Sequence, residues 1–102
     1  MGNFIGVGDG IHDTHGDVFI IETDDGSRLL RFENFKATKG PDLFVYLATD
    51  ETANDFVNLG VLKGNIGNQN YMMPPGIDLS NYNTVLIWCK QFSILFGSAK
   101  LS

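Results

Sequence analysis

The chain has 102 residues and a formal net charge of −5, with 43% hydrophobic residues, 19% charged residues and a single cysteine. That length suits one domain with an ordinary hydrophobic core, and the composition excludes an intrinsically disordered chain. The acidic balance, with no local Lys/Arg cluster, argues against nucleic acid as a partner, and no apolar stretch approaches the roughly 20 residues of a membrane-spanning helix.

Chain order begins with Gly2-Asn3-Phe4-Ile5, which reads as strand with no lead-in. The start resembles that of a domain cut from a longer precursor, so that a signal peptide would lie outside it. Nowhere do apolar residues recur at helical spacing over three turns, while short β-branched and aromatic runs bounded by Gly, Asn, Asp and Pro recur throughout. Strands are predicted over Asp17 to Thr23 and Arg28 to Asn34, joined through Asp25-Gly26, a pair suited to a tight primed hairpin turn. After the turn signal Gly40-Pro41, the segment Asp42 to Ala48 alternates Leu43, Val45 and Leu47 with Phe44, Tyr46 and Ala48, so both faces of that strand are apolar or aromatic.

Thr49 to Asp55 reads as a loop or one helical turn, Asn58 to Lys63 as a short strand, and Gly64 to Asn70 as a loop curling over one end of the fold. Gln69 to Met73 is a strand stopped by Pro74-Pro75-Gly76. A turn over Asp78 to Asn83 precedes two last strands, Thr84 to Cys89 and Ser93 to Leu101, the second bent at Gly97. The expected fold is all-β, a single-domain β-sandwich or barrel of about eight short, mostly antiparallel strands.

Several motifs then stand in a characteristic order: Gly2-Asn3-Phe4; His12-Asp13 with Gly16; Asn34-Phe35; Gly40-Pro41-Asp42-Leu43 with Tyr46-Leu47; Leu59-Gly60-Val61-Leu62-Lys63-Gly64; Gly67 with Gln69 and Tyr71; Pro74; and Val85 to Phe92 with Phe96-Gly97 and Ala99. In that order and spacing the chain resembles the DM-thirteen domain, the electron-transfer DM domain of Skeletor-like proteins. The resemblance implies a β-sandwich-like extracytoplasmic domain, secreted or at the cell surface, often accompanied by a haem-binding DOMON-type domain. It also implies a redox role for the cysteine, which falls on Cys89 with neighbours Trp88 and Phe92, while the early histidine falls on His12. His15 stands where other members carry a small residue.

Cys89 has no internal disulfide partner, so it is packing, a free thiol, or a partner for something outside the chain. A reactive thiolate needs a nearby cation or helix N-terminus and access to solvent. Lys90 and Trp88 point to the face opposite Cys89 in a regular strand, which leaves His12 as the candidate electrostatic partner. A thiol that reacts in the native state would mark a redox domain; one that reacts only after unfolding would mark a non-catalytic binding or adhesion module with a structural cysteine.

A second candidate site is the loop holding Asp9, His12, Asp13, His15 and Asp17. Imidazole and carboxylate are ordinary ligands for Zn or Cu, so His12, His15 and Asp13 make a possible metal site, although His-x-x-His diverges in an extended segment. Glu22, Asp24 and Asp25 are explained by the hairpin turn before calcium need be invoked. An apolar patch of Phe44, Tyr46, Tyr71, Trp88 and Phe92 is either core or a binding face. No nucleophile elbow, phosphate loop or cofactor motif is present, so no cofactor is expected and an enzyme acting alone is the least favoured reading.

Overall fold

A computed structural model describes all residues, Met1–Ser102. Nine strands form: β1 (Gly2–Asn3), β2 (Ile5–Gly6), β3 (Thr14–Glu22), β4 (Arg28–Ala37), β5 (Leu43–Ala48), β6 (Phe56–Val61), β7 (Gln69–Met73), β8 (Thr84–Cys89) and β9 (Ile94–Lys100). They make a four-stranded sheet in the order β1-β3-β4-β7 and a five-stranded sheet in the order β2-β9-β8-β5-β6. Every pairing is antiparallel. Two separately bonded sheets facing one core make a sandwich rather than a closed barrel. There is no helix, hence none long and apolar enough to cross a membrane.

The alternation of β5 places Val45 and Leu47 in the space between the sheets, where they join Val18, Leu30, Phe32, Val85 and Ile87, all with no exposure to solvent. One side of the sandwich is closed at Phe4, where the chain leaves β1 in one sheet and enters β2 in the other. The Phe4 ring meets Phe32 edge-on at 4.9 Å and Phe35 at 5.3 Å, and Phe32 continues to Tyr71 at 5.1 Å. Tyr71 is buried, and its hydroxyl accepts the Lys63 N–H at 2.8 Å and donates to Gln69 Oε1. Gln69 Nε2 in turn donates to the Gly64 carbonyl at 2.9 Å, so a buried polar group anchors the loop between β6 and β7. That loop runs beside the end of β4, through bonds from Ala37 N to Asn65 O and from Gly67 N to Phe35 O.

The structure corrects two of the expected features and gives the form of a third. The hairpin between β3 and β4 exists, but its turn is not the two-residue primed type, since only Gly26 has positive φ, at 85°. Gly26 N bonds Thr23 O and Thr23 N bonds Ser27 O, which is the three-residue loop with a glycine bulge. Strand β6 begins at Phe56 rather than Asn58, because Phe56 pairs across to Ala48. The bend in β9 is a bulge: Ile87 pairs with Gly97 and Trp88 with Leu95, leaving Phe96 without an opposite residue.

The hairpin turn carries a pH signature. The Asp25 carboxylate accepts the Thr23 hydroxyl at 2.5 Å and the Ser27 N–H at 3.0 Å, which together lower its pKa from 3.8 to about 2. Because the folded value is depressed, the stabilisation is complete above the ordinary carboxylate range and is lost as pH falls through about 2. The Asp25 carboxyl resonance in the folded protein is expected to titrate near 2, and Asp25→Ala should make acid unfolding less steep. A midpoint at the ordinary carboxylate value would show that the turn does not hold the charged form.

The bulge on β9 depends on a close approach. A Cβ on Gly97 would fall 2.5 Å from Thr14 Oγ1, and that buried hydroxyl donates to the Phe96 carbonyl at 3.0 Å. Neither group can move without breaking the contact between the sheets. Gly97→Ala is expected to destabilise the fold by about 1–3 kcal/mol, the usual cost of overpacking, visible as a lower urea midpoint with unchanged slope.

Candidate functional site

Cys89 ends β8 and faces inward, with no solvent exposure. Its S–H donates to the Pro41 carbonyl at 3.1 Å. Pro41 is itself exposed, so one residue of the Gly40-Pro41-Asp42 connection separates the sulfur from water. Asp42 takes positive φ, 59°, at the entry to β5, and its carbonyl accepts the Lys90 N–H at 3.1 Å, pinning the cover to the strand that carries the thiol. The Lys90 ammonium lies on the opposite side of the sheet, 5.4 Å from the centre of the Phe44 ring, as strand alternation predicts.

His12 packs at this end of the sandwich on Phe96, whose ring lies against Gly40 of the same connection. Its ring packs against Phe96 at 4.3 Å between centroids, while Nδ1 pairs with Asp9 at 2.5 Å. Asp9 also accepts the backbone N–H groups of His12 and Ile11, and the backbone bond from His12 is the largest of the contacts that lower its pKa to about 2. Phe96 in turn fills the space above Gly40, where a Cβ would come 2.6 Å from the ring. Loop, ring and cover are therefore stacked in sequence: His12 on Phe96, Phe96 on Gly40, and Pro41 on the Cys89 thiol. Thr38 ties the two loops together, its N–H donating to Asp13 O and its hydroxyl accepting the Asp13 N–H.

The candidate metal ligands are not brought together. His15 lies exposed on β3 opposite Lys36, the backbone of Asp13 is fixed by Thr38, and His12 is committed to Asp9 and Phe96. No group of three His, Cys, Asp or Glu side chains has a geometry able to hold a metal ion. The spacing that diverges in extended chain accounts for this: Thr14 turns into the core between the two histidines.

The aromatic patch also divides. Tyr71 belongs to the core of the four-stranded sheet, and Phe92 sits exposed in the turn between β8 and β9. Phe44, Tyr46 and Trp88 share the outer face of the five-stranded sheet, with Leu86, Ala48 and Leu95. There Tyr46 stacks on Phe56 at 4.0 Å and 12°, and on Trp88 at 6.1 Å and 22°. Burial is the main cause holding the Tyr46 phenol above its usual range, with the Asp42 charge adding to it. Phe56 was missed by sequence reading because it follows a polar loop. Its contact with Tyr46 depends on which strand lies beside β5, and only pairing reveals that.

The model of the electron-transfer DM13 family matches residues 6–101. The chain belongs to the DM13 electron-transfer family. No curated protein and no solved structure matches it. Within the DM13 domain, the single cysteine, Cys89, lies under the Pro41 cover. With the sulfur fully buried, direct thiol–disulfide exchange requires the cover to open, since a thiolate must reach a partner sulfur. Electron movement over short distances does not require such contact.

Proposed function

We propose that this DM13 domain is an electron-transfer accessory domain of a secreted or cell-surface protein, in which Cys89 is the residue that changes oxidation state one electron at a time. The observation that carries this reading is the burial of the sole cysteine one residue beneath the surface of an electron-transfer family domain. Shielding suits an extracytoplasmic setting, because an exposed unpaired thiol there would oxidise or pair between chains. A haem-binding domain of DOMON type is the natural one-electron partner.

The test is to expose the native protein to a photogenerated one-electron oxidant and locate the oxidised residue by mass spectrometry, with an alkylating reagent as a parallel probe. Because the sulfur has no solvent exposure, reaction with thiol reagents no longer separates a redox cysteine from a structural one; one-electron oxidation does, and Cys89 should be oxidised while remaining slow to alkylate. If the oxidant leaves Cys89 untouched and modifies other residues, the redox reading fails. The same burial also favours a second reading, a binding or adhesion module whose cysteine only fills the core. Under that reading Cys89→Ser would leave partner binding and all redox behaviour unchanged.

A further inference from the structure

The outer face of the five-stranded sheet holds a feature that core packing does not require. Phe56, Tyr46 and Trp88 come from three different segments, β6, β5 and β8, yet their rings stand nearly parallel in a row. At one end Phe56 lies on an edge strand and is 41% exposed. At the other end Trp88, half-buried, is bonded through the backbone to Cys89, whose side chain enters the core on the opposite face. The row thus runs from an exposed sheet edge to the residue that precedes the shielded thiol. Two of its three members, a phenol and an indole, are side chains able to give up an electron and recover it.

We propose that Tyr46 and Trp88 form the electron relay through which Cys89 is oxidised by a one-electron oxidant reaching the outer face of the five-stranded sheet. This rests on the reading of Cys89 as the redox residue. The oxidant must be strong enough to oxidise an indole, as a high-valent metal–oxo centre is. It removes one electron from Tyr46, whose phenolic proton passes to water. The Tyr46 radical takes an electron from Trp88 and a proton from water, and the indole N–H proton leaves to water. The Trp88 radical then takes an electron from Cys89 and recovers its proton from water. The S–H proton passes along its hydrogen bond to the Pro41 carbonyl and from that exposed residue to water. The net change is one thiol and one oxidant converted to one thiyl radical, one reduced oxidant and one proton. A one-electron reductant with a proton returns the thiyl to thiol. Phe56 carries no charge in this scheme; its ring covers one face of Tyr46 and keeps it parallel to Trp88.

The chain contains one tryptophan, so any indole radical signal reports Trp88 alone. The test uses photogenerated ruthenium(III) tris-bipyridine with the intact protein, transient absorption for the rings and electron paramagnetic resonance of rapidly frozen samples for the thiyl, which needs no reagent to reach the buried sulfur. In the wild type an indole radical should form and decay as a thiyl signal appears. Trp88→Phe should lose the thiyl signal. Tyr46→Phe, which keeps the ring and its packing, should lower the thiyl yield with the fold intact by circular dichroism. A thiyl signal at wild-type yield in both variants overturns the relay while leaving Cys89 as the redox residue. An indole radical whose decay is identical in Cys89→Ser and wild type, with no thiyl signal in either, overturns the redox reading of Cys89 and the relay's last step with it.

Discussion

Replacing Phe96 with alanine is expected to lower the stability of the domain by about 3–5 kcal/mol, the usual cost of truncating a buried phenylalanine, and to open Cys89 to thiol reagents in the folded state. The ring is 4% exposed and belongs to the same core cluster as Cys89. It separates two loops that otherwise have little apolar support: His12 packs on it from one side, and Gly40 approaches it from the other. Deleting it leaves a void under Gly40, next to the residue whose carbonyl holds the thiol. The cover would then open with a cost well below that of global unfolding. The measurement is native-state alkylation of Cys89 at increasing urea, compared with the global unfolding curve. Wild type should alkylate only as it unfolds, whereas Phe96→Ala should alkylate well before its own midpoint. If both track global unfolding, the 40–42 segment is not an independent cover and the thiol is simply part of the core.

His12→Ala separates the contributions of the two sides. His12 is half-buried and paired with the exposed Asp9, so its loss removes a ring contact without a large cavity. A small change in stability with slower native alkylation than Phe96→Ala would place the cover's support on Phe96. This contrast also bears on the idea that His12 activates the thiol. With Phe96 packed against its ring and Asp9 bound to Nδ1, the histidine is turned to its own loop.

What was legible in the sequence follows the range of the physical signal. Strand identity is local: the alternation over Leu43 to Ala48 and the apolar run Thr84 to Cys89 mark the right strands and set Trp88 and Lys90 on the face opposite Cys89, while which face enters the core follows from how the two sheets meet. The position of the hairpin was also local, although its turn class was not, because Asp25-Gly26 is compatible with more than one loop length. Pairing between distant strands was hidden. Nothing in the chain announces that β5 lies between β6 and β8, and the Phe56-Tyr46-Trp88 row exists only through that order. The cover on Cys89 was hidden for the same reason, since residues 41 and 89 meet only when β5 pairs with β8. The histidine loop shows the opposite failure. Its composition suggested ligands, but the direction of each side chain is set by Thr14 entering the core, by Asp9 and by Phe96, and these send the candidate ligands apart.

Phe32→Ala is the other substitution expected to bring the domain close to unfolding, at about 3–5 kcal/mol against a total of roughly 5–15 kcal/mol for a domain of this kind. Phe32 has no exposure, and its ring touches three others, Phe4 at 4.9 Å, Phe35 at 5.0 Å and Tyr71 at 5.1 Å. These contacts span the four-stranded sheet from the crossing at Phe4 to the edge strand β7, so the loss is not confined to one layer. Phe4 fixes the point where the chain changes sheets, and Tyr71 anchors the loop between β6 and β7 through Lys63 and Gln69. Loosening Phe32 therefore weakens both sides on which the two sheets are joined. Phe32→Leu, which keeps most of the apolar volume, should recover much of the stability but not the edge-on contact with Phe4. Phe92→Ala, at a position 58% exposed, should stay within about 0.5 kcal/mol of wild type. Denaturant unfolding of the three variants decides the matter: if Phe32→Ala and Phe92→Ala shift the midpoint equally, the aromatic cluster is not what joins the sheets. A large shift for Phe32→Ala with no early alkylation of Cys89 would show that the aromatic cluster and the thiol cover are held by separate parts of one core.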